Sequence, residues 1–387
     1  MAMNRRKWIA STSSGIFGAL GAGALARGAP GAEVPPGGRP PSGLAITAVR
    51  VTPIALPDPP ILASSGCHGP YFLRNLIEIE TEAGITGIGE TYGGEEVTAA
   101  LERSRGLLVG QSAFAYGKFA AEVSKLGTAA YAGVELACLD AAGRATGRRL
   151  SELLGGPVRE KVEFSSYLFF RYAADHPALL QDPRVADRRG RGDRALDSWG
   201  EVRTPGAMAE MAWQFHRRWG FKSHKLKAGV LPPDTELAAL KAINERLGGK
   251  QQLRIDPNGR WTIDTAVRIG KAMKDLPIEY YEDPVDGQAA MAAVRKATGL
   301  RMSTNACVTR FEHLPGAIET RPVDVVLSDH HYWGGIPACQ ALGTICAALG
   351  WGVSQHSNNH AGVTMAAMVH LGAVVPQIGR ASCRERV

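Results

Sequence analysis

The chain has 387 residues, of which 45% are hydrophobic and 21% charged, enough apolar material for about two or three domains of roughly 100 to 200 residues each. That composition excludes a disordered tail, a collagen-like repeat and a small disulfide scaffold. The formal charge of +7 would ordinarily point to nucleic acid or an acidic surface. Most of it sits at the two ends, however, in Arg5, Arg6, Lys7 and Arg27 and in Arg380, Arg384 and Arg386. The body between them is nearly neutral, so no nucleic-acid partner is expected.

Residues 1–32 have the pattern of a twin-arginine export signal. Asn4-Arg5-Arg6-Lys7 precedes a mild apolar run, Ile16 to Leu25, and then the small residues Ala26-Arg27-Gly28-Ala29, where a signal peptidase can cut. The expected location is the periplasm or beyond; a general secretory signal and a cytoplasmic protein with a ragged start are the alternatives. Residues 33–43 form a Pro/Gly-rich linker. No second span of about 18 apolar residues follows, so the mature form has no expected membrane span. The cysteines at 67, 138, 307, 339, 346 and 383 show no CxxC or CxxH spacing and lie mostly in apolar runs, which predicts buried free thiols.

Residues 44–155 predict an α+β domain. Three alternating pieces, Ile46 to Thr52, Leu76 to Thr81 and Thr86 to Thr91, give a small antiparallel sheet. The turn Glu82-Ala83-Gly84 joins the last two, and a long loop carrying Ser65 to Phe72 separates the first two. Helical patterns follow from about Glu95 to Gly155. In residues 156–377 the rhythm changes to short apolar runs ending in polar residues: Val162 to Phe169, Ser223 to Lys227, Leu253 to Asp256, Ile278 to Glu282, Met302 to Asn305, Val323 to Asp329 and Gly352 to His356. Helical stretches separate them, at Asp234 to Leu247, Ile263 to Lys274, Ala289 to Thr298, Phe311 to Glu319 and Ile336 to Leu349. Such alternation predicts parallel βα units. A polar insertion, 171–205, interrupts it.

Lys227, Asp256, Glu282, Asn305, Asp329 and His356 each fall at the carboxyl end of a predicted strand, one βα unit apart. In a closed (β/α) barrel those ends point into one mouth, so the six residues converge on one site. Asp256, Glu282 and Asn305 offer the hard oxygen ligands that suit Mg²⁺. Lys225 and Lys227 share a face of one strand; beside a cation and each other they are expected to lose proton affinity, which makes one a general base. Asp329 precedes His356 by one strand and can orient and polarise its imidazole.

Lys225-Leu-Lys227, Asp256-Pro-Asn-Gly, Glu282-Asp-Pro, Thr304-Asn305, Asp329 and His356-Ser-Asn-Asn together resemble the enolase superfamily, and within it the acid-sugar dehydratase branch typified by glucarate dehydratase. The loop Ser65 to Phe72, the run Tyr167-Leu-Phe-Phe and Glu135-x-Ala-x-x-Asp140-x-x-Gly143 resemble the same branch, and the likeness covers about residues 44 to 377. It implies a capping domain over a modified (β/α)7β barrel. Carried over by position, it implies Mg²⁺ on Asp256, Glu282 and Asn305, one base at Lys227 with Lys225 beside it, and a second base at His356 with Asp329. It also implies contacts to an acid-sugar substrate from His68, Tyr167, Asn258, Ser357 and Asn358. The reaction implied is loss of the proton α to a carboxylate and then of the β-hydroxyl, giving a 2-keto-3-deoxy acid. A racemase or epimerase of 2-hydroxy acids would use the same bases. An exported sugar-acid binder or an inactive truncated homologue is the reading from another class. Self-association into a homo-oligomer is left open.

Two departures from the family pattern stand out. The segment Val285 to Ala290 is short, which leaves the second metal ligand open between Glu282 and its neighbours. Residues 378–387 have no apolar period and resemble a translated sequencing adapter, so the native sequence is expected to be cut off after about Gln377, without the last barrel strand that a family chain supplies further on. His313, His330, His331, His360 and His370 lack ligand spacing to the site and read as structural or surface histidines; Gly334-Gly335 reads as a βα turn.

Overall fold

The computed structural model describes residues 43–69, 71–173, 176, 200–379 and the backbone of 381–383. The expected export signal, the linker up to residue 42 and most of the polar insertion lie outside these residues. Strand β1 (Ile46–Pro57) is followed by a two-stranded hairpin, β2 (Leu62–Ala63) and β3 (Gly66–Cys67), and then by β4 (Tyr71–Thr81) and β5 (Thr86–Tyr92). β1, β4 and β5 form an antiparallel sheet in that order. The expected loop from Ser65 to Phe72 is thus shorter than the sequence suggested, because β4 begins at Tyr71 and pairs with β1 out to Pro57. The turn after β4 is tight: Gly84, at φ 71°, donates its N–H to the Thr81 carbonyl at 2.8 Å.

Helix Thr128–Thr146 lies directly on this sheet and is buried along nearly its whole length. Its composition explains the closeness. A Cβ on Gly87 or Gly89 would meet the carbonyl oxygens of Ala137 or Gly133 at 2.0 Å, so only glycine in β5 lets the helix backbone approach so near. Asp140 on the same helix accepts the Ile88 N–H at 2.9 Å, which ties the two elements in register.

The second sheet holds eight strands in the order β12-β11-β10-β9-β8-β7-β6-β13. They are β6 (Phe164–Phe169), β7 (Ser223–Lys227), β8 (Gln252–Asp256), β9 (Ile278–Glu282), β10 (Met302–Thr304), β11 (Val325–Ser328), β12 (Gly352–Gln355) and β13 (Ala381–Cys383). All of their pairings are parallel. Helices Pro205–Trp219, Pro233–Arg246, Ile263–Ala272, Gln288–Thr298, Leu314–Thr320, Ile336–Ala348 and Gly362–Val374 follow the first seven in turn, which is the (β/α)7β order. The main apolar core lies between these strands and helices, with Leu168, Leu226, Ile255, Tyr281, Val326 and Val353 buried under Met208, Leu240, Ile269, Met291, Ala317, Leu342 and Leu371.

The sequence reading left the place of the last barrel strand empty; in the structure a three-residue strand of the tail, β13, stands there. β13 pairs in parallel with Phe164, Ser165 and Ser166, while Ile378 bridges to Val353 of β12 and the Gly379 N–H reaches the Val353 carbonyl at 2.8 Å. Pairing of this kind uses backbone groups alone, so a three-residue run without apolar period can fill the gap. The five described cysteines form no disulfide; Cys138, Cys339 and Cys346 are buried, and Cys67 and Cys307 only partly so. No helix among the described residues is long and apolar enough to cross a membrane.

Two buried glutamates of the capping domain dock it on the barrel. Helix Gly362–Val374 has no side-chain cap of its own; Glu90 of β5 accepts the N–H groups of Ala361, Val363 and Thr364 at 2.7, 3.0 and 3.1 Å. Helix Ile336–Ala348 likewise lacks one, and Glu135 accepts the Ile336 N–H at 2.6 Å. Each carboxylate satisfies orphan helix donors and faces the positive end of the helix dipole. Arg74 of β4 pairs with Glu90 at 2.8 Å, both side chains being fully buried.

Arg74→Ala strands Glu90 as a buried unpaired charge. It should cost about 3–5 kcal/mol in a urea titration, and a loss below about 1 kcal/mol would show that the pair is dispensable. Glu135 gives a pH test. Burial, opposed by the Ile336 N–H and the Tyr131 hydroxyl, pushes its pKa up to about 8. A raised carboxyl pKa means that its contribution is complete below the unfolded value of about 4.3 and is lost as pH rises through the folded value. Glu135→Gln should therefore gain stability relative to the parent as pH is raised from 5 to 9; parallel stability curves would contradict this.

Candidate active site

The strand register puts the polar side chains in layers inside the barrel. Tyr167, Lys225, Arg254 and Tyr280 are successive neighbours across β6, β7, β8 and β9, and Lys227 lies beside Asp256 one layer nearer the carboxyl ends. Lys225, Asp256 and Glu282 are wholly buried, and the Lys227 side chain is 9% exposed. Lys225 Nζ pairs with Asp256 Oδ2 at 2.9 Å and with Glu282 Oε1, and Lys227 Nζ pairs with Asp256 Oδ2 at 2.5 Å. The Tyr167 ring packs under both ammonium groups, at 4.5 Å from Lys225 and 5.5 Å from Lys227, a cation–π contact.

The electrostatics of the cluster follow from its arithmetic: two ammonium groups face three carboxylates. Asp256 is held below the usual carboxylate range, because Lys225 and Lys227 outweigh the effect of burial. Glu282 is pushed up to about 8 by burial and then by Asp256, and Asp283 to about 7 for the same two reasons. Sequence reasoning expected the lysines to lose proton affinity. Burial does act that way, but with Asp256 turned to the lysines its charge outweighs burial and holds both above the ordinary lysine value; the expected loss was argued for lysines beside a cation, which would draw that charge away.

Asn305 closes the cluster from the end of β10. Its N–H donates to Asp283 Oδ2 at 2.8 Å, and Thr304 Oγ1 donates to Asp283 Oδ1. One carboxamide orientation puts its nitrogen 2.9 Å from Glu282 Oε1 and 3.3 Å from Asp283 Oδ2. The other puts its carbonyl oxygen there, so that the group faces acceptors only. Glu282 Oε2 is buried without a hydrogen-bond partner. An orphaned carboxylate oxygen, two further carboxylates and a reversible carboxamide form a donor set that fits a hard divalent cation. Asp283 is the neighbour of Glu282 that turns toward Asn305.

Across the mouth, His356 Nδ1 lies 2.9 Å from Asp329 Oδ2, so these two residues do form a pair. Burial lowers the His356 pKa despite Asp329, and the charges of Lys225 and Lys227 add to that. Asn258, at φ 52°, donates its N–H to Asp256 Oδ1 at 3.0 Å. Ser357 is buried and Asn358 exposed beside His356. His68 pairs with Asp58 at 3.3 Å on the loop whose Ile61 packs against Tyr167 and Phe169.

Several residues of the site escaped the sequence reading. His330, His331 and His360, which read in the sequence as structural or surface histidines, are all buried around Asp329. Tyr92 of the capping domain donates its hydroxyl to Asp329 at 3.2 Å, and Tyr332 stacks on the His356 ring at 5.7 Å. The run of rings directly after a strand-end carboxylate, Asp329-His330-His331-Tyr332-Trp333, was the available signal; nothing local marked Tyr92. Ligand atoms of Asp329, His330 and His331 lie within 4.8 Å of one another. That carboxylate is already occupied by hydrogen-bond donors, which makes this group a network rather than a metal site.

Residues 46–155 match the mandelate racemase / muconate lactonizing enzyme N-terminal domain, and residues 207–383 the enolase C-terminal domain-like family. A probable glucarate dehydratase of Streptomyces coelicolor is 40% identical over 87% of this chain and 81% of its own length. An enolase from Thermobispora bispora, crystallised with magnesium and formate, superposes with a TM-score of 0.80 at 37% identity, over 88% of this chain and 82% of that one. An enolase from Pseudomonas fluorescens with bound magnesium, potassium and tartrate gives a TM-score of 0.80 at 38% identity, over the same shares. The chain belongs to the enolase superfamily and is glucarate dehydratase-like within it.

Proposed function

We propose that this protein is a Mg²⁺-dependent hydro-lyase that dehydrates an acid sugar of the glucarate class. The observation that supports this reading best is that a buried carboxylate cluster short of positive charge carries Lys227 at its edge, while Asp329 holds His356 just past the carboxyl end of β12 in the same sheet. The residues that would hold Mg²⁺ are Asp256, Glu282 and Asn305. Mg²⁺, when bound, supplies positive charge next to the substrate carboxylate and so lowers the cost of removing the adjacent proton.

The chain's own groups do the rest. His356 Nε2 or Lys227 Nζ takes the proton from the α carbon, and the C–H electron pair passes toward the carboxylate. The β C–O bond then breaks, and the hydroxyl leaves as water with a proton from the opposite base. The enol left behind becomes the 2-keto-3-deoxy acid. Asp329 holds His356 by Nδ1, which leaves Nε2 to act. Lys225 and the Tyr167 ring keep Lys227 in place, and Asn258, Ser357, Asn358 and His68 line the approach as substrate contacts. The similarity to the Streptomyces coelicolor protein supports dehydration over simple epimerisation.

Asp256→Asn should abolish Mg²⁺ binding in calorimetry and lower turnover of glucarate by at least about 10³-fold; full activity with excess chelator would rule the metal out. The two bases are separable by isotope. In D₂O, His356→Asn should stop α-proton exchange on one epimer while leaving partial exchange on the other, and Lys227→Arg should do the converse. Loss of exchange on both epimers in both variants, with Mg²⁺ binding intact, would remove the two-base assignment.

A further inference from the structure

One carboxylate, that of Asp329, gathers donors from two domains. Oδ1 accepts His331 Nδ1 at 2.8 Å and the His331 N–H at 2.9 Å. Oδ2 accepts His356 Nδ1 at 2.9 Å and the Tyr92 hydroxyl at 3.2 Å; His360 Nε2 lies 3.5 Å away without a hydrogen bond to it. Tyr92 lies on β5, two residues from the docking residue Glu90. Its ring packs against His331 at 4.5 Å and under the Arg74 guanidinium at 4.8 Å. It also lies 6.2 Å from the ring of Tyr332, which covers His356 at an interplanar angle of 25°.

An ionised carboxylate only accepts hydrogen bonds, so every group aimed at it has to donate. The Nδ1 of His356 therefore carries the hydrogen, and the lone pair sits on Nε2. A carboxylate held by one partner could turn about its χ2 and lose that alignment. Asp329 cannot, because both of its oxygens are held from several directions.

We propose that Tyr92 and His331 are positioning residues for His356: they fix the Asp329 carboxylate, and through it the tautomer and tilt of the imidazole, so that the capping domain supplies part of the base it covers. The exchange test of this proposal rests on the two-base reading above. The spectroscopic test does not.

The variants are Tyr92→Phe, His331→Ala and His331→Asn, the last retaining a side-chain N–H near the Nδ1 position. Exchange of the α-proton through His356 should fall about tenfold in Tyr92→Phe, the loss expected for one hydrogen bond to a charged group. Exchange through Lys227, the substrate KM and Mg²⁺ affinity should stay within about twofold. His331→Ala should fall further, and His331→Asn should recover most of that loss. Equal falls on both faces would mean a merely structural role and would overturn the proposal, as would no fall at all.

Nitrogen NMR of ¹⁵N-histidine protein, with His356 assigned by its absence in His356→Asn, supplies the independent readout. His356 should be a single Nδ1–H tautomer in the parent and a mixture in Tyr92→Phe and His331→Ala. A parent that exchanges neither epimer yet shows this change keeps the positioning role and rejects the two-base reading. An unchanged tautomer in both variants overturns the positioning role whatever the exchange result.

Discussion

Glu90 and Glu135 reach out of the capping domain to end helices that belong to the barrel. A helix N-terminus leaves several N–H groups without partners, and burying them uncapped is costly. Here the capping domain, not the barrel, provides the acceptors. The two helices concerned follow β11 and β12, the strands that carry Asp329 and His356. Docking, helix termination and the aim of one base are thus a single arrangement, with Tyr92 and Arg74 alongside in the same buried layer.

On the other side of the mouth the controlling quantity is charge. Asp256 pairs with both lysines and Glu282 shares Lys225 with it, so three buried carboxylates, Asp283 included, face only two ammonium groups. Their raised proton affinity is the response of buried carboxylates to that shortage. The barrel tolerates this because each side chain is set by a strand register that leaves it no other direction. Arg254, one layer deeper, is neutralised separately by Glu279 at 2.9 Å and stacked on Tyr280, so it does not compete for the cluster.

The barrel was legible because six of its strands are short buried runs that end at or just before a reactive residue; the runs Ser223 to Lys227 and Ile278 to Glu282 match β7 and β9 residue for residue. The capping sheet was read less well at one place. Arg74 and Asn75 fall just outside the expected strand Leu76 to Thr81, yet both belong to β4 and are buried, since that end of β4 faces the barrel. The same blind spot hid Tyr92 and Glu90. A sequence pattern reports burial against a strand's own sheet and helices, whereas these residues are buried by a domain that begins some seventy positions later. The closing strand at Ala381–Cys383 was missed for a different reason: its pairing needs only backbone groups, which no side-chain pattern reports.

The central claim is that the carboxylate cluster is a cation site lying between two bases. A crystal structure of this chain with Mg²⁺ and tartrate, the diacid found in the Pseudomonas fluorescens enolase, tests it most directly. The account predicts an ion held by Asp256, Glu282 and Asn305, with the diacid between Lys227 and His356. An ion seated instead on Asp329, His330 and His331, or a diacid that neither Lys227 nor His356 touches, would contradict it.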